Sequence, residues 1–105
     1  MACWFLSERG YKIIKRNWQI RGGELDIVAE KNGILVFIEV KARFSHDFGL
    51  PVESITPNKI RFLKRSAQIY IHQNHLYNKQ ARFDVVLIDY VLGNPRIDLI
   101  ENITG

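Results

Sequence analysis

Asn32-Gly33 lies between two apolar runs, residues 24–31 and 34–41, and this reversal constrains the fold more than any other stretch. Asn-Gly is the strongest short hairpin signal, because both residues tolerate the positive φ of a type I′ turn. A two-residue loop there fixes a register in which Lys31 opposes Ile34, Val28 opposes Phe37, Asp26 opposes Glu39 and Glu24 opposes Lys41. Opposed residues hold their Cβ atoms about 4.5–5.5 Å apart. Period two then puts Glu24, Asp26, Glu39 and Lys41 on one face. Two carboxylates so close repel unless a cation or a shared proton lies between them.

The second strand of the hairpin is apolar on one side throughout, with Ile34, Val36, Ile38, Val40 and Ala42. The other side carries Leu35 and Phe37 before turning charged at Glu39, Lys41 and Arg43. A strand of that pattern is expected at the centre of a sheet covered on both faces. Charges at its end need partners, since unpaired burial is costly. Those partners define two readings: a site for a ligand, or a structural ladder with Glu24 on Lys41 and Asp26 solvated.

A chain of 105 residues with 47% hydrophobic residues is expected to form one domain over residues 1–105. No apolar run reaches the roughly 18 residues of a membrane span. Residues 1–9 lack the basic and apolar regions of a secretory signal. Cys3 is the only cysteine, so no disulfide forms within the chain; it reads as a packing residue in a reducing cytoplasm. A net charge of +4 suits a polyanion, with no membrane partner implied.

Residues 2–9 read as a short helix stopped by Gly10, with apolar positions at its start that place its beginning upstream of Met1. Residues 11–20, 82–90 and 96–101 read as further strands, the last at an edge. Residues 44–54 read as a loop after the charged strand end. Thr56-Pro57 starts a helix running to about residues 72–74. One of its faces is apolar (Ile60, Leu63, Ala67, Tyr70) and another basic (Arg61, Lys64, Arg65, Gln68, His72). His72 and His75, with no acid nearby, make a poor metal site. Three antiparallel strands, a crossover helix and a parallel strand give a mixed sheet.

Asp26 followed by Glu39-Val40-Lys41 resembles the PD-(D/E)xK nuclease core, whose element order this chain shares. More closely, Gly10-Tyr11, Asn17-Trp18, Gly23-Glu24-Leu25-Asp26, Phe37 to Arg43, Phe48-Gly49, Pro51, Lys59 and Arg82 to Val86 resemble the YraN-type family. Those small bacterial proteins are related to archaeal Holliday-junction resolvases. The resemblance implies an α/β, more narrowly α+β, fold: a restriction-endonuclease-like core with a mixed five-stranded sheet and a helix on each face. It implies an endonuclease-like hydrolase cleaving phosphodiesters in DNA, branched or structured, with Mg²⁺ or Mn²⁺. Asp26, Glu39 and the Val40 carbonyl would hold the metal, since hard oxygen donors suit these ions. Lys41 would orient or deprotonate water, and Glu24 would tune Lys41. Lys59, Arg43, Arg61, Lys64 and Arg65 would contact phosphates. Symmetric cutting of two strands would call for a homodimer. Resolvase-like relatives carry a further glutamate about one turn before the position of Ala2. Glu8 lies off the apolar face and is not expected to replace it. The competing expectations are a DNA- or RNA-binding module without catalysis, and a protein-interaction domain whose charges are ion pairs.

Overall fold

The computed structural model describes residues 1–43, 55–90 and 94–104. The expected loop at 44–54, the Arg43 side chain and Gly93 of the expected last turn lie outside the described residues. The chain runs α1 (Ala2–Glu8), β1 (Lys12–Ile20), β2 (Gly23–Lys31), β3 (Ile34–Arg43), α2 (Pro57–Gln73), β4 (Ala81–Asp89) and β5 (Arg96–Ile100). The five strands form one mixed sheet in the order β1-β2-β3-β4-β5. Among the described residues only β3 and β4 pair in parallel, joined through the α2 crossover; the other neighbouring strands are antiparallel. This is the expected α+β architecture.

The turn forms as its residues dictate. Asn32 and Gly33 have φ 53° and 79°, and the expected register holds from Lys31↔Ile34 to Ile27↔Ile38. Gly10, at φ 86°, follows α1, where a left-handed residue suits the end of a helix. Thr56 Oγ1 accepts from the Lys59 backbone N–H at 3.2 Å, and Pro57 opens α2 without needing a donor.

β3 is covered on both faces. On one side Val36 and Ile38 join Phe5, Leu6, Ile27, Ala29, Val86 and Ile88 under α1. On the other, Leu35 and Phe37 join Trp18, Leu25, Val28, Leu63, Ala67 and Tyr70 under α2. The Phe37 ring meets Tyr70 edge-on and stacks on Phe83, with centroids 6.0 and 5.5 Å away. Burying a side chain of this size stabilises the fold by about 1.5–3 kcal/mol. α2 sits close to the start of β2: a Cβ on Gly23 would lie 3.4 Å from Ser66 Oγ, and that hydroxyl accepts from the Glu24 N–H at 3.0 Å. No helix among the described residues is long and apolar enough to cross a membrane.

Candidate active site

The β2–β3 ladder ends at Ile27↔Ile38, one rung before the acids. In place of a further backbone rung, Asp26 Oδ2 accepts from the Val40 N–H at 2.8 Å. The carboxylate therefore sits at the split between the strands, acting as a side-chain extension of the ladder. This corrects the expectation that Asp26 and Glu39 oppose each other by simple alternation. Asp26 lines a cleft of about 310 Å³ with Met1, Ala2, Cys3, Arg16, Asn17, Ile27 and Val40, whereas Glu39 is held from α2. The two acids still interact, because the charge on Asp26 contributes to raising the Glu39 pKa.

Glu39 is 7% exposed. Burial first, and the Asp26 charge second, push its carboxyl above the usual carboxylate range, opposed by Lys59 and Lys41. Lys59 Nζ lies 3.2 Å from Glu39 Oε1. Lys59, expected among the phosphate contacts, is therefore turned inward in this structure, where an adjacent cation offsets the cost of burying Glu39. Lys41 is half-buried and acts on Glu39 through its charge, with no ion pair among the described residues.

The expected Glu24–Lys41 pair does not form. Glu24 is exposed and pairs with Gln19 in β1, while its N–H is held by Ser66. With this end of β2 tied to β1 and α2, it diverges from β3. That divergence removes both the tuning role expected of Glu24 and the salt-bridge ladder. On α2, Arg61, Lys64, Arg65, Gln68 and His72 are exposed as one polar surface. Arg61 donates to Asn58 Oδ1, and Tyr77 Oη lies 2.6 Å from His72 Nδ1. Glu8 is exposed at the end of α1 and does not line the cleft.

The donor chemistry suits a small hard cation. A residue in a strand points its N–H and C=O to the same side. The Val40 carbonyl therefore faces the Asp26 side, and Glu39 is near enough for the Asp26 charge to act on its carboxyl. Mg²⁺ is typically held by one or two carboxylates and keeps several waters. Among the described residues no group of three or more His, Cys, Asp or Glu side chains is placed to hold a metal. The fit thus rests on two carboxylates and a carbonyl, with the Lys59 ammonium at Glu39 competing for the same charge.

Sequence reasoning gave no role to a second polar cluster. Asp84 is 0% exposed and accepts from Tyr11 Oη at 2.8 Å, Arg82 Nε at 3.1 Å and the Asn102 N–H at 2.8 Å. Arg82 also donates to Tyr11 Oη at 3.1 Å. Burial and Asp84 push the Tyr11 phenol up to about 12. The available signal was Arg82 and Asp84 two residues apart, hence on one strand face, beside an apolar run. The cluster ties the residue before β1 and the segment after β5 to β4.

Fold and site define an α+β protein whose mixed sheet, covered by a helix on each face, carries an acid pair and a lysine where its central hairpin splits. The chain belongs to the UPF0102 family: the profile described as "Uncharacterised protein family UPF0102" matches residues 1–88. A UPF0102 protein of Carboxydothermus hydrogenoformans is 48% identical over 85 residues, covering 81% of this chain and 72% of that protein. One from Syntrophomonas wolfei is 43% identical over 102 residues, covering 97% and 89%. One from Neisseria meningitidis is 41% identical over 101 residues, covering 96% and 85%.

Proposed function

We propose that this protein is a divalent-metal-dependent endonuclease acting on DNA, with Asp26, Glu39 and the Val40 carbonyl as the metal-holding set. The observation that carries the reading is Glu39, a buried carboxylate beside a second carboxylate, partly neutralised by a lysine. A cation at that place offsets the burial and the Asp26 repulsion that together raise the Glu39 pKa. Bound Mg²⁺ or Mn²⁺ would act as a Lewis acid on a phosphoryl oxygen and make water more acidic. Lys41, half-buried and not ion-paired among the described residues, orients the attacking water and offsets charge developing on the phosphate. Arg61, Lys64 and Arg65 contact backbone phosphates, which supply affinity without sequence preference. Lys59, once displaced from Glu39, joins them.

The test is incubation with branched and single-stranded DNA in Mg²⁺ or Mn²⁺. Cleavage is expected from the native protein and lost in Asp26→Ala and Lys41→Ala; cleavage that persists in both variants counts against this site. The Lys59–Glu39 ion pair also favours a second reading, a nucleic-acid-binding module on the same fold without catalysis. In that case DNA binds with a strong salt dependence, and neither metal nor Asp26 changes it.

A further inference from the structure

One rung of the β1–β2 ladder is missing. Arg16 pairs with Ile27 and Trp18 with Leu25, but Asn17 and Asp26, between them on the same register, do not pair. Asn17 has a left-handed backbone, with φ 52°. Side-chain alternation fails on both strands at this rung. Arg16 lines the cleft with Ala2 and Cys3 of α1, yet Trp18, two residues on, packs under α2. Leu25 and Val28, three residues apart, share that same core. Unbroken period two would separate Leu25 from Val28 and put Asp26 on the Val28 side.

We infer that Asn17 is a positioning residue for Asp26, acting through its backbone. The left-handed residue takes β1 off the rung. Asp26, released from its partner on that edge, turns its carboxylate to β3 and reaches the Val40 N–H. Asparagine is among the few residues with a side chain that take this conformation readily; a β-branched residue resists it. With Asn17 extended, the rung would re-form and Asp26 would return to alternation, away from Val40. The consequence for metal binding rests on the role proposed for Asp26; the geometry does not.

The experiment compares metal-free, ¹⁵N-labelled native protein with Asn17→Gly, Asn17→Ala and Asn17→Val by amide hydrogen exchange, then titrates each with Mn²⁺. Glycine keeps the backbone conformation and removes the side chain. The Val40 amide is expected to stay protected in the native protein and in Asn17→Gly. It should exchange at least about tenfold faster in Asn17→Ala and Asn17→Val, while Ile38 keeps its protection. Mn²⁺ affinity should fall about tenfold or more in the same two variants and be retained in Asn17→Gly. Unchanged Val40 exchange in folded Asn17→Ala or Asn17→Val overturns the inference, as does a loss in Asn17→Gly equal to theirs. If alanine and valine do not fold, Asn17→Gly decides alone: a protected Val40 amide supports positioning, and an unprotected one overturns it. A native protein that protects Val40 but binds no Mn²⁺ removes the metal reading and leaves the positioning claim intact.

Discussion

Replacing Lys59 with methionine removes the ammonium and keeps a stem of similar size. At 3.2 Å and an effective dielectric of about 20, the Lys59–Glu39 attraction is about 5 kcal/mol before desolvation. The Lys59 side chain is 32% exposed and that of Glu39 8%, so the net value lies between an exposed and a buried pair. That interpolation gives a loss of about 2 kcal/mol at neutral pH, a fall in Tm of roughly 8–16 °C. The deficit depends on pH. Without Lys59 the Glu39 carboxyl moves further above the usual carboxylate range, leaving burial and Asp26 unopposed except by Lys41. A carboxyl with a raised folded pKa keeps its proton after the unfolded chain has lost it. Stability therefore falls as pH rises through that window and is recovered below it. Thermal and urea unfolding of Lys59→Met and native protein from about pH 4 to pH 8 should show the gap closing in acid. A gap of the same size at both ends would mean that lost packing, not the loss of the Lys59 charge, sets the cost.

Asp84→Ala strands the donors from Tyr11, Arg82 and Asn102 and should cost roughly 3–5 kcal/mol in urea unfolding; a loss below about 1 kcal/mol would deny the cluster its structural role. Tyr11, pushed up to about 12, should resist ionisation in an ultraviolet titration until the fold is lost. Because its folded pKa exceeds the unfolded one, stability should fall from about pH 10 upward, and this slope should flatten in Tyr11→Phe. Changing Arg61, Lys64 and Arg65 together to serine should lower the slope of log K against log salt for duplex DNA by about 2–3, whereas an unchanged slope places the DNA elsewhere.

The fold was largely legible because each element carries a local signal. Asn32-Gly33 fixed the turn, the two apolar sides of β3 placed it at the centre, and Thr56-Pro57 opened the crossover helix that makes β4 parallel to β3. The site was legible only in its residue types. Period two carried to Asp26 gives a face-to-face acid pair, but the left-handed backbone at Asn17 breaks alternation, and no hydrophobic pattern announces one such residue. The Lys59–Glu39 contact depends on how α2 lies over the sheet, so a basic residue that reads as phosphate-binding also serves as a counterion. Asp84 was obscured by the apolar run beside it, although its burial is made tolerable by three donors.

On the proposed function, Asp26 and Glu39 share a divalent cation where the hairpin splits. Calorimetric titration of Mn²⁺ into the native protein, Asp26→Asn and Glu39→Gln tests it most directly. One site is expected in the native protein, with affinity lower by about tenfold or more in each variant. Absence of binding to the native protein, or equal affinity in all three, would contradict it.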